Sequence, residues 1–67
     1  MVNLNLLKET IKERGVTQAH IAKKLNITYV ALCNKTRGKH AFSLGEALEL
    51  KRILRLTQEE WDAIFDA

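Results

Sequence analysis

Cys33, His20 and His40 are the side chains in this chain best suited to bind a metal or to act as a nucleophile or base near neutral pH. Their spacing matches no recognised metal-ligand pattern. Glu46 closes the run Ser43-Leu-Gly-Glu46 and reads as a helix cap rather than a general base. There is no nucleophile–base pair, glycine-rich phosphate loop or paired-carboxylate arrangement. Neither an enzyme nor a metal or cofactor site is therefore expected. The chemistry these residue types do favour is contact with a polyanion. Residues 17–39, TQAHIAKKLNITYVALCNKTRGK, hold Lys23, Lys24, Lys35, Arg37 and Lys39 and no acid.

The wider charge distribution agrees. Residues 1–42 carry eight Lys/Arg against Glu9 and Glu13, a net +6, whereas residues 43–67 carry three against six acids, a net −3. No carboxylate lies between Glu13 and Glu46. A basic half and an acidic half in so short a chain indicate a polyanion partner on one side. A merely solvated lysine-rich face is the alternative on charge alone.

The elements that must position these residues are constrained by size. A chain of 67 residues makes one domain, 1–67, with an economical core. An apolar content of 46% is too high for a disordered tail. There is no proline, no internal repeat or linker, and no apolar run long enough for a membrane span. The N-terminal MVNLNLLKETIKER lacks a signal-peptide pattern, and one cysteine forms no internal disulfide. Together these features lead us to expect an intracellular, cytoplasmic protein.

The pattern along the chain predicts five helices and no strand, an all-α fold. Helix 1 is expected over about Leu4–Arg14, with Leu4, Leu7 and Ile11 on one face and Gly15 as the stop. Thr17 caps helix 2, which carries Ile21, Ala22 and Leu25 on one face. Asn26 tolerates the left-handed conformation and turns the chain. Ile27 packs inward, and Thr28 caps helix 3, which runs to about Lys35 or Thr36. The basic loop 37–42 follows. The capping box Ser43–Glu46 opens helix 4, about Leu44–Leu54, with Leu44, Ala47, Leu48, Leu50 and Ile53 available to the core. A second box, Thr57–Glu60, opens helix 5, about Gln58–Phe65.

Two helices joined by a turn of about three residues form the helix-turn-helix pattern. Ala22 is small where helices 2 and 3 must cross, and Ile21, Leu25, Ile27 and Leu32 supply the contacts that fix their angle. Thr28, Tyr29, Val30, Cys33, Asn34 and Arg37 are left pointing away from the core. Such a motif lays the N-terminal part of its second helix in the DNA major groove, and carboxylates there would be repelled by phosphates. That accounts for the acid-free stretch.

TQAHIAKKLNIT, followed by LCNKTRGKHAFSLGEALELKRILRLTQEEWDAIF, resembles the phage Cro/repressor class of helix-turn-helix proteins, the XRE type. The similarity extends beyond the motif to Gly38-Lys39, Phe42, Glu46, Leu54, Leu56 and Ile64-Phe65. It implies a five-helix lambda-repressor-like domain and a homodimer that binds a partly palindromic operator as a transcriptional regulator in a bacterial host. The resemblance also assigns roles. Gln18 is the phosphate-clamping glutamine, and its backbone N–H lies at a helix N-terminus, which favours an anion. Thr28, Tyr29, Val30 and Asn34 are the base-reading residues. Asn34 can bond adenine N6 and N7, and the methyls of Val30 or Thr28 can meet thymine methyls. Lys35, Arg37, Lys39 and His40 lie where phosphates pass.

The chain departs from the family pattern in three places. Asn26 stands where glycine is usual, and Lys35 where the wider class is often apolar. Tyr29 and Val30 replace the glutamine pair of well-known members, so no operator sequence carries over.

Several residues admit two roles. Tyr29 either contacts DNA or packs on the protein surface. Cys33 is either a small residue that permits close groove approach or a reactive thiol. Leu56, Trp61, Ile64 and Phe65 are expected at a homodimer interface, or else all serve the core. With no further domain in the chain, a Cro-like repressor is expected, without membrane or small-molecule partners. The alternatives are an antitoxin of the same fold that also binds a toxin protein, and a protein-binding module that has lost DNA binding.

Overall fold

The computed structural model describes residues 1–66. Five helices make up the fold: α1 (Leu4–Glu13), α2 (Gln18–Leu25), α3 (Tyr29–Thr36), α4 (Leu44–Ile53) and α5 (Gln58–Phe65). There is no strand among the described residues. None of the helices described is long and apolar enough to cross a membrane.

Each helix starts on a side chain that accepts an otherwise unpartnered backbone N–H. Asn3 takes the N–H of Leu6, Thr17 that of His20, and Thr28 that of Ala31. Both predicted capping boxes are closed. Ser43 takes the Glu46 N–H while Glu46 accepts from the Ser43 N–H at 2.8 Å, and Thr57 and Glu60 do the same. α1 stops at Glu13, with Arg14 as its C-cap.

The first four helices end on one repeated device. A residue with positive φ turns the chain, and the next residue returns its N–H to a carbonyl five positions back. The turning residues are Gly15, Asn26, Gly38 and Arg55. The returning bonds run from Val16 to Ile11, Ile27 to Ala22, Lys39 to Asn34 and Leu56 to Lys51. Two of the four turning residues are not glycine. Val16, Ile27 and Leu56 then fold against the core, so three of these turns also deliver an apolar side chain.

The core draws on every helix: Leu7 and Ile11 from α1, Ile21 and Ala22 from α2, Leu32 from α3, Leu50 from α4 and Ile64 from α5, with Leu54 and Leu56 from the α4–α5 connection. α2 packs most extensively on α3 and also meets α4, while α1 meets α5. Arg14 secures the far end. Its Nε donates to the Leu54 carbonyl at 3.1 Å, and its guanidinium pairs with Glu13 and Glu60. The Thr57 backbone N–H, then Arg14, hold the Glu60 carboxyl below its ordinary pKa.

α4 departs from the sequence expectation. Ala47 and Leu50 are buried, but Leu44 is 71% exposed and Leu48 49% exposed. At about 100° per residue, Leu44 and Leu48 lie roughly 90–130° around the helix from the buried face. A leucine count over α4 overstates what one face can bury.

Candidate nucleic-acid interface

Thr28, Tyr29 and Val30 begin α3, and all three are exposed, Tyr29 at 55% and Val30 at 66%. Large side chains at such exposure on a helix so well anchored are not used by the core. The anchoring comes from Leu32, fully buried one turn on, and from Thr36, whose hydroxyl donates back to the Cys33 carbonyl at 3.0 Å. The Thr28 hydroxyl oxygen accepts the Ala31 N–H at 3.0 Å, which leaves its hydrogen and methyl for an external contact. Asn34 is half-buried, and its backbone carbonyl accepts from the Lys39 N–H, fixing the start of the basic loop.

Tyr29, Cys33 and Arg37 recur every four residues and so share one face of α3. The neighbouring Cys33 thiol is the main cause that raises the Tyr29 phenol above its ordinary pKa, and Arg37 pulls the other way. Gln18 reaches this face from the first turn of α2, and its Oε1 accepts from the Cys33 thiol across 3.6 Å. Arg37, Lys39 and His40 are exposed beyond the end of α3, and Lys23 and Lys24 are exposed on α2. The face assembled from α2, α3 and the following loop therefore holds no acid until Glu46.

Lys35 is used differently from the other expected phosphate contacts. Its Nζ donates to the Glu46 carboxylate at 3.0 Å and to the Ala41 carbonyl at 3.1 Å, and both side chains of the ion pair are less than a fifth exposed. It also stands 6.0 Å from the centre of the Phe42 ring. Burial pushes the Glu46 carboxyl up, but the Ser43 backbone N–H and the Lys35 ammonium outweigh it and hold the carboxyl below its usual range. Lys35 thus ties the basic loop to the start of α4. Its charge is already answered inside the protein.

The residues expected at a subunit interface divide. Leu56 and Ile64 are core residues of the single chain, 7% and 0% exposed, with almost no surface to offer a partner. Trp61 and Phe65 are half-buried, with ring centroids 4.7 Å apart, and Phe65 meets Phe42 edge-on at 6.4 Å. Lys51 lies 5.3 Å over the Trp61 ring. Lys51 follows Leu44 and Leu48 on the same side of α4, so an apolar strip runs toward Trp61 that sequence reasoning assigned to the core. The Gln18–Cys33 contact was also missed, since residues fifteen apart in sequence give no local signal for it.

No family model, no curated protein and no solved structure matches this chain.

Proposed function

We propose that the chain is a Cro-like, sequence-specific DNA-binding regulator in which α2 and α3 form a helix-turn-helix. The observation that carries the proposal is the exposed, acid-free N-terminal half of α3, flanked by Gln18 on one side and Arg37, Lys39 and His40 on the other. A helix that enters a major groove needs exposed side chains at its N-terminal end and cations at its margins. Thr28, Tyr29, Val30 and Asn34 read bases, while Gln18, Arg37, Lys39 and His40 meet phosphates.

In this proposal two copies bind a two-fold symmetric operator, with recognition helices about 34 Å apart in successive major grooves. They repress by occupying promoter DNA. The subunit contact is assigned to Trp61 and Phe65 together with Leu44 and Leu48, the large apolar side chains on this side that keep exposed surface.

Two substitutions separate base reading from charge. Asn34→Ala is expected to cost about 1–3 kcal/mol on the preferred sequence and to relax preference at one base position. Lys39→Ala is expected to weaken all sequences alike and to lower the salt slope by about one. Unchanged base preference in Asn34→Ala would remove that residue from the reading surface.

A further inference from the structure

We propose that Cys33 is a positioning residue for Gln18. Its thiol holds the carboxamide oxygen, so that the Gln18 amide N–H2 faces outward as the donor for a phosphate oxygen. The assignment rests on the DNA-binding reading proposed above.

A carboxamide has an accepting end and a donating end, whereas a phosphate oxygen only accepts. A glutamine that clamps phosphate must therefore turn its nitrogen outward. At an open surface nothing favours that orientation over its flip, and ordering so flexible a side chain costs entropy on binding. Here Gln18 occupies the first position of α2 and Cys33 the middle of α3, and both are partly buried where the two helices face each other. The 3.6 Å approach of Sγ to Oε1 engages the accepting end with the thiol hydrogen. Tyr29 lies one turn earlier on the same face, and the Cys33 thiol is the main cause that raises its phenol above the ordinary pKa. Alanine at position 33 would release the Gln18 carboxamide. Serine would keep a donor in the same place, and the flexible Gln18 side chain can follow it.

The test pairs DNA titrations with dynamics of the free protein. Wild type, Cys33→Ala, Cys33→Ser, Gln18→Ala and Gln18→Ala/Cys33→Ala are titrated into a mixed-sequence DNA duplex by fluorescence anisotropy. Relaxation of the Gln18 side-chain amide is measured by NMR without DNA. Cys33→Ala is expected to weaken binding by about three- to ten-fold, the scale of one hydrogen bond. Cys33→Ser is expected to recover most of that loss, and Cys33→Ala to have no further effect once Gln18 is alanine. The Gln18 amide is expected to be ordered in the wild type and mobile in Cys33→Ala. An equal loss from Cys33→Ala in the Gln18→Ala background would overturn the proposal, as would a mobile Gln18 amide in the wild type. No DNA binding by the wild type would overturn the phosphate role and the DNA-binding reading together. In that event, a Gln18 amide ordered in the wild type and in Cys33→Ser but mobile in Cys33→Ala would still uphold the contact.

Discussion

Replacing Lys35 with methionine keeps the length and apolar stem of the side chain and removes its charge and donors. At the protein surface such an ion pair contributes about 0–1 kcal/mol, whereas breaking a fully buried one costs roughly 3–5 kcal/mol. The Lys35–Glu46 pair, at 17% and 18% side-chain exposure, lies between these limits. Glu46 keeps the Ser43 N–H as a partner, and the Ala41 carbonyl can turn to water, so the cost of Lys35→Met is about 1.5 kcal/mol. For a domain of this size that lowers Tm by roughly 6–12 °C. The pH dependence has a definite sign. The folded Glu46 carboxyl titrates below its ordinary value of 4.5, so its stabilisation is fully present above that value and is lost as pH falls through the lower folded one. The gap in Tm between wild type and variant is therefore expected to be full at neutral pH and to close in acid. Thermal unfolding followed by circular dichroism across that range measures it. In parallel, the salt slope of DNA binding, taken well below the melting temperature, is expected to stay unchanged. An unaltered Tm with a salt slope reduced by about one would refute the internal role and return Lys35 to the phosphate contacts.

Other substitutions test the fold and the proposed assembly. Asn26 adopts φ 59°, so Asn26→Gly is expected to preserve stability, while Asn26→Val is expected to cost about 1–2 kcal/mol in urea unfolding. Ile64→Ala removes a fully buried side chain, and its expected cost of roughly 2–5 kcal/mol approaches the whole stability of so small a domain, visible as loss of cooperative melting. Leu44→Ser with Leu48→Ser is expected to weaken self-association in sedimentation while unfolding free energy changes by less than about 0.5 kcal/mol per site, since neither side chain belongs to the core. A large loss of stability in that double variant would assign the pair to folding instead of assembly.

Local signals in the sequence were strong because they are chemically specific. Thr17, Thr28, Ser43 and Thr57 are capping residues followed by the right helical pattern, and each of them caps a helix. Asn26 was legible as a turn because few residues other than glycine tolerate its conformation. Arg55 was not, since arginine has no such preference. The turn there is imposed by burial of Leu54 and Leu56 on either side. The faces of α4 were misread for a related reason. Leu44, Ala47, Leu48 and Leu50 spread over about 160° of the helix, wider than one buried face, and only packing decides which are covered. For the candidate interface, exposure of Thr28, Tyr29 and Val30 followed from the apolar spacing of their neighbours. The partners of Lys35 and Gln18 did not, because charge and residue type are visible in a sequence while the geometry that joins α3 to α4, or α2 to α3, is long-range.

The most direct test of the DNA-binding account is selection of bound sequences from random duplex DNA, repeated at two salt concentrations. The account predicts enrichment of a two-fold symmetric sequence with half-sites about ten base pairs apart, and binding that weakens steeply as salt rises. Recovery of no preferred sequence, with only weak binding that disappears at physiological salt, would contradict it.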